Sequence, residues 1–337
     1  MSQPLRTAIL GCGGFAHRHA NTLQKLKDDF KMAAFCNRTI EKAAAFSEKY
    51  TNSSASVFAD HHQMFDQIPL DVVIVCLPPY AHFDEVEIAA KLGIHVFIEK
   101  PIALTSEQGW HMADAAEKAG IVTQVGFMLR FGEAIERLKG MIDSGEAGPV
   151  GLMSARYFCN ALHAPWWRQR DLSGGQLVEQ VIHMIDLMRF LMGDAKTVYS
   201  RQENLFHQEI DDYTVEDVSA TVFGFPKGGL GVIYATNGAI PGRWINDYRV
   251  VSKNLTVEFT DSNHATFHYT AKPDHQPEII TSDRDVYLSE MLDFLAAIRT
   301  GKETRTPLRE GARSLDLALA ATRSAQLGGE LRLSETR

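Results

Sequence analysis

The chain has 337 residues, 45% hydrophobic and 23% charged, with a formal net charge of -8. That length exceeds what one hydrophobic core usually supports, so two domains are expected in an ordinary globular protein. The acidic balance and the lack of a basic run argue against nucleic acid or an anionic membrane as main partner, and no apolar run approaches the roughly 18 residues of a membrane span.

Met1-Ser2-Gln3-Pro4 leads directly into a strand without a basic and then apolar leader, which predicts a cytoplasmic protein. Cys12, Cys36, Cys76 and Cys159 are scattered through apolar, strand-like stretches, as free thiols in a reducing compartment would be.

The first signal is a strand at residues 5–10 running into Gly11-Cys12-Gly13-Gly14-Phe15-Ala16. Small residues there let backbone amides approach a pyrophosphate, and the following helix start offers unpaired N–H groups to it. Strands are then expected at 31–37, 71–76, 94–98 and 121–126, alternating with helices at 39–50, 81–91 and 106–118. This alternation predicts an α/β fold, with an N-terminal Rossmann domain built on a doubly wound parallel sheet over residues 1–127.

The second strand ends in Cys36-Asn37-Arg38, where a ribose-binding acid is usual. Without the carboxylate a 2′-phosphate is not repelled, and Arg38 can pair with it, so NADP is favoured over NAD. If Asn37 alone holds the ribose, the cofactor is NAD.

Leu77-Pro78-Pro79-Tyr80-Ala81-His82 follows the 71–76 strand at the carboxyl edge, where ligands of open sheets bind. The next strand delivers Glu99-Lys100-Pro101 to that edge. These motifs, with the Gly-rich turn, resemble the Gfo/Idh/MocA oxidoreductases, which include glucose-fructose oxidoreductase and inositol dehydrogenase. The resemblance implies a nicotinamide-dependent dehydrogenase or reductase acting on a sugar, polyol or related carbonyl. Gly11, Gly13, Gly14, Phe15, Ala16, Asn37, Arg38, Leu77, Pro78, Pro79, His82, Glu99 and Pro101 would then line the cofactor, with Lys100 between nicotinamide and the reacting oxygen.

Beyond Gly126 the alternation stops. An amphipathic helix reaches residue 144, and a second, α+β domain with a large, mostly antiparallel sheet is expected over residues 128–337. Many relatives have asparagine where Met128 stands, so one polar contact would be missing. The strand at 150–160 leads to a loop with Trp166-Trp167-Arg168. Aromatic faces stack on sugars or nicotinamide and an arginine binds hydroxyls or carboxylates, or else the tryptophans pin the loop to its core. In relatives such a pair lies near the active site, which assigns Trp166 to substrate, Trp167 to cofactor and Arg168 to both.

A buried helix is expected at 175–192, with Glu179, His183 and Asp186 within about 60° of arc at 100° per residue. Such a stripe suits a wet cleft, where either carboxylate can hold the imidazole. An ordinary solvent face is the alternative. Relatives carry Asp-x-x-x-His here with histidine as proton acceptor. His183 matches that histidine, and Glu179 replaces the aspartate.

Strands at 197–206, 215–225, 229–239, 247–251, 255–260 and 265–269 and helices at 285–299 and 308–326 complete the expected elements. Pairing through this sheet would give a homodimer or homotetramer. His61-His62 and His17/His19 lack acid or Cys partners at ligand spacing, so no metal is expected. Lys100, His183 and Glu179 form the catalytic set. The rival functions are a nicotinamide-retaining glycoside-cleaving enzyme and a non-catalytic dinucleotide sensor.

Overall fold

The computed structural model describes residues 3–272 and 274–333, so Met1 and Ser2 of the opening stretch lie outside the described residues. The chain divides into two compact units, Met1–Gly126 with Tyr287–Ala312, and Phe127–Val286 with Arg313–Arg337.

The first unit runs β1 (Leu5–Leu10), α1 (Ala16–Lys25), β2 (Phe30–Cys36), α2 (Ile40–Thr51), β3 (Ser56–Phe58), α3 (His61–Gln67), β4 (Val72–Val75), α4 (Glu85–Leu92), β5 (His95–Ile98), α5 (Ser106–Ala119) and β6 (Thr123–Val125). The short β3 and α3 carry too weak a period to stand out in the sequence. The strands form a parallel sheet in the order β3-β2-β1-β4-β5-β6, the doubly wound arrangement, with its topological switch between β1 and β4. Val72, Val73, Ile74 and Val75 are all buried, as a strand covered on both faces requires. Side-chain caps set two helix starts: Asp60 accepts from Gln63 N before α3, and Thr105 accepts from Gln108 N before α5.

The second unit contains α6 (Glu133–Asp143), β7 (Val150–Phe158), α7 (Arg170–Ser173), α8 (Gln176–Glu179), α9 (Ile182–Met192) and β8 (Thr197–Glu203), followed by β9 (Val218–Gly224), β10 (Leu230–Thr236), β11 (Tyr248–Ser252), β12 (Thr256–Asp261), β13 (His264–His268) and β14 (Glu278–Thr281). Helices α10 (Val286–Thr300) and α11 (Leu308–Leu327) precede β15 (Leu331–Arg332). The nine strands follow the order β14-β13-β12-β11-β7-β10-β9-β8-β15, antiparallel except for β7 against β10. Along β9 and β10 burial alternates with period 2: Phe223 and Ile233 face in, Val222 and Tyr234 face out.

Two expectations need correction. Residues 128–337 are not all one domain: Met291, Phe294 and Leu295 of α10 join the core of the first unit, where the Phe294 ring lies 5.9 Å from that of Phe97. An apolar helix face does not state which core it joins. The expected helix at 175–192 is also two helices, because Val181 N bonds Gln176 O while Met184 N bonds Val181 O, which breaks the regular ladder at Gln180 and Val181. No helix among the described residues is long and apolar enough to cross a membrane.

Candidate functional site

In the first unit the Gly-rich turn is held from behind and open in front. Gly11 has φ +95°, and an added Cβ would lie 2.5 Å from Cys76 O, so only glycine fits. Asn37 Oδ1 accepts from Cys12 N at 3.0 Å, and Asn37 Nδ2 donates to Thr39 O at 3.0 Å. The side chain expected on a ribose thus supports the turn, while Arg38 beside it is exposed. Cβ atoms added at Gly13 or Gly14 would meet nothing within 4 Å. Exposed Phe15 precedes α1, which begins at buried Ala16 with no side-chain cap and no acid in its first turn. Open amides at an uncapped helix start suit an anion.

At the end of β5, Glu99 Oε1 lies 2.6 Å from His19 Nε2 of α1, both buried, and Glu99 Oε2 accepts from Lys100 N at 3.3 Å. A Cβ at Gly126 would come within 2.8 Å of the Glu99 carboxylate. Glu99 therefore ties the strand end carrying half-buried Lys100 to the helix that starts at the Gly-rich turn. The Lys100–Pro101 peptide is cis.

Between β4 and α4, Leu77 and Pro78 are half-buried and Pro79 starts a single 3-10 turn. His82 is buried with Nδ1 2.5 Å from Glu85 Oε1, and Gln108 Nε2 donates to its carbonyl. Burial pushes the Glu85 carboxyl up, but His82 and the Phe83 N–H bring it below its ordinary range. His82 therefore shapes the loop.

His61 and His62 do have an acid partner, which corrects the expectation drawn from spacing. Asp84 Oδ1 lies 2.8 Å from His61 Nε2, and Asp84 Oδ2 lies 3.0 Å from His62 Nε2. His17 Nδ1 is engaged by Tyr50 OH at 2.7 Å.

In the second unit half-buried His183 stands in the first turn of α9, 6.3 Å between ring centroids from Phe127. Glu179 ends α8, and Trp167 Nε1 donates to Glu179 Oε2 at 2.7 Å. Trp167 is only 2% exposed and packs with Tyr213, Val215 and partly buried Trp166. Arg168 donates to Leu162 O at 2.9 Å and His163 O at 3.0 Å, holding a loop in which His163 takes φ +57°. Tryptophans and arginine thus pin this loop, and the pinning places a donor on Glu179.

Of the two carboxylates able to hold the His183 imidazole, Asp186 is engaged elsewhere. Asp186 is fully buried and accepts from Arg130 Nε at 2.8 Å, Arg130 Nη2 at 2.6 Å and Ser314 Oγ at 3.0 Å. Arg130 also lies over the Phe190 ring, so the acid, imidazole and acid do not form one wet stripe. A buried carboxylate takes the strongest donor in reach, and a guanidinium fork outcompetes an imidazole.

Several residues of this unit were missed in the sequence. Gln180 Nε2 is 2.9 Å from His163 Nε2; Gln176 Nε2 and Cys159 Sγ both donate to Asn237 Oδ1 at 2.8 Å; Asn237 Nδ2 donates to Tyr213 OH. Buried Glu216 accepts from Leu177 N at 2.7 Å and Arg170 Nη2 at 2.9 Å, starting α8. Gln176 and Gln180, four apart on an apolar helix, were the available signal.

Residues 5–127 match the family model described as oxidoreductase family, NAD-binding Rossmann fold, and residues 135–261 match the GFO/IDH/MocA C-terminal domain. The chain is 34% identical over 196 residues to the D-glucoside 3-dehydrogenase of Escherichia coli, a match spanning 57% of this chain and 55% of that relative. It is 25% identical over 345 residues to the myo-inositol 2-dehydrogenase of Thermotoga maritima, covering 98% and 99% of the two chains. A solved levoglucosan dehydrogenase in complex with NADH and levoglucosan has the same fold, with a TM-score of 0.90 at 19% identity over 99% of this chain and 100% of that one.

Proposed function

Because the chain belongs to the GFO/IDH/MocA family of oxidoreductases, we propose that it transfers a hydride between a nicotinamide dinucleotide and a CH–OH or carbonyl carbon of a sugar, polyol or related small molecule. The observation that carries this reading is the turn after β1, where Gly13 and Gly14 leave open space before an uncapped helix start. Such a turn fits a pyrophosphate, which Gly11, Gly13, Gly14, Phe15 and Ala16 would hold, with Leu77, Pro78, Pro79 and Pro101 along the carboxyl edge of the sheet.

Bound nicotinamide supplies the hydride acceptor or donor. The remaining chemistry belongs to side chains. His183 takes the proton from the substrate hydroxyl as general base. The Lys100 ammonium hydrogen-bonds the substrate oxygen and stabilises its developing charge. Glu179 binds a neighbouring hydroxyl, and Trp167 acts through it by fixing its carboxylate. The names of the relatives, a glucoside and an inositol dehydrogenase, support a polyhydroxylated ring as substrate.

Exposed Arg38 and the lack of an acid at the end of β2 favour NADP, because Asn37 is engaged in the turn. The outward face of β8 to β10, with Tyr199, Val222, Leu230 and Tyr234 exposed, supports a homodimer or homotetramer formed through this sheet. Four free cysteines, with Cys12 and Cys36 pushed up to about 12 by burial, support a reducing cytoplasm.

The test is a panel of inositols, hexoses, glycosides and anhydrosugars assayed with NAD and NADP in parallel, read by nicotinamide absorbance. Substrate-dependent reduction of a dinucleotide is expected. Tight dinucleotide binding without turnover on any member would favour a sensor.

A further inference from the structure

We propose that His61, His62 and Asp84 form a binding site for a late divalent transition-metal ion, Zn2+ first among them, which ties α3 to the segment opening α4. His61 and His62 are the first two residues of α3, and Asp84 directly precedes α4. One ligand atom from each residue lies within 4.8 Å of the others. The two rings are 4.2 Å apart, and each Nε2 faces a different oxygen of the one carboxylate. Around a tetrahedral ion with bonds of about 2.0–2.2 Å the ligand atoms stand about 3.4 Å apart, so the set closes by about 1.5 Å or less. His62 and Asp84 have side chains 56% and 49% exposed, with solvent beside them for a small rearrangement, whereas that of His61 is 18% exposed.

A second feature lies behind the ligands. His62 Nδ1 is 3.6 Å from Asp60 Oδ1, and Asp60 is itself fixed by accepting from Gln63 N at 3.0 Å. At 3.6 Å this is an electrostatic contact and not a hydrogen bond, and a carboxylate on the Nδ1 side favours the tautomer that leaves Nε2 for an ion, the arrangement that outer carboxylates complete by hydrogen bonding in metal-bound histidines. Two nitrogens and one oxygen suit zinc, nickel or copper, whereas calcium and magnesium prefer oxygen alone. The carboxylates of Asp60 and Asp84 offset the charge of the ion. Asp84 stands two residues after His82, so the ion would fasten the end of the loop between β4 and α4 to α3. The site does not depend on the dinucleotide reading.

The experiment uses untagged full-length protein, stripped with a chelator and titrated with ZnCl2 by calorimetry. One equivalent per chain is expected, with a rise in melting temperature. The His61→Ala/His62→Ala double variant should lose that equivalent, and Asp84→Asn, close in shape, should weaken it roughly tenfold or more. Co2+ added to the parent protein should give the visible d–d bands of a low-coordinate site, absent in the double variant. His111→Ala, at an exposed histidine of α5, should change nothing. Failure to bind Zn2+ stoichiometrically, unchanged binding in Asp84→Asn, or loss of the equivalent in His111→Ala would each overturn the proposal. Should the double variant not fold, Asp84→Asn and the Co2+ spectrum decide.

Discussion

Trp167 Nε1 donates a 2.7 Å hydrogen bond to Glu179 Oε2, a contact that helps to orient the carboxylate at the end of α8. A hydrogen bond to a charged group contributes about 1.5–3 kcal/mol. Trp167→Phe keeps most of the ring and removes the donor, so kcat/KM should fall roughly 10- to 100-fold. Trp167→His, which retains an N–H, should recover part of the loss. If Trp167 only fills space, Phe will match the parent in kinetics and denaturant midpoint.

The glycines of the first turn separate folding from binding. Gly11→Ala places a Cβ 2.5 Å from Cys76 O at φ +95° and should destabilise the protein by about 1–3 kcal/mol. A Cβ at Gly13 meets nothing within 4 Å, so Gly13→Ala should leave the melting temperature of the free protein within about a degree or two. The same variant should weaken dinucleotide binding by about tenfold or more, because the pyrophosphate would occupy that space. Equal dinucleotide affinity in Gly13→Ala and the parent would place the cofactor elsewhere.

Arg130 and Asp186 form a buried pair, and removing one partner takes a directly hydrogen-bonded counter-charge from the other. Asp186→Ala should cost about 3–5 kcal/mol in urea unfolding, and Arg130→Met/Asp186→Leu should cost less than either single change. Additive losses would mean that the pair does not act as a unit.

His163 has its pKa lowered, mainly by burial, and Gln180 lies against its Nε2. A histidine lowered in the folded state binds fewer protons there than when unfolded. Its contribution is present above the ordinary value of about 6.5 and is lost as pH falls through that value towards the folded pKa. The stability difference between parent and His163→Gln should therefore shrink from about pH 7.5 to about pH 5.5. Taking the difference cancels exposed His62, which is raised by Asp84 and slopes the opposite way. A difference independent of pH would show that His163 does not titrate in this window.

The β1 strand, glycine turn and α1 were legible because backbone approach restricts residue types at Gly11 and Gly13, and the strand and helix alternation after them follows hydrophobic period. Partners distant in sequence were not legible. Asp84 reaches His61 and His62 from more than 20 residues away, and Arg130 takes Asp186 across 56 positions. Projection at 100° per residue placed Glu179, His183 and Asp186 along one continuous helix, whereas the ladder breaks at Gln180 and Val181 and Asp186 is taken by Arg130. The docking of α10 into the first core rests on Met291, Phe294 and Leu295, a pattern that fits either unit.

The central claim is hydride transfer with His183 as base and Lys100 as electrostatic partner. It is tested most directly by measuring kcat and dinucleotide dissociation constants for His183→Ala and Lys100→Met on the best substrate of the panel. Turnover should fall roughly 10²- to 10⁴-fold in each, with dinucleotide affinity changed by no more than about threefold. Near-normal turnover in either variant would contradict the assignment.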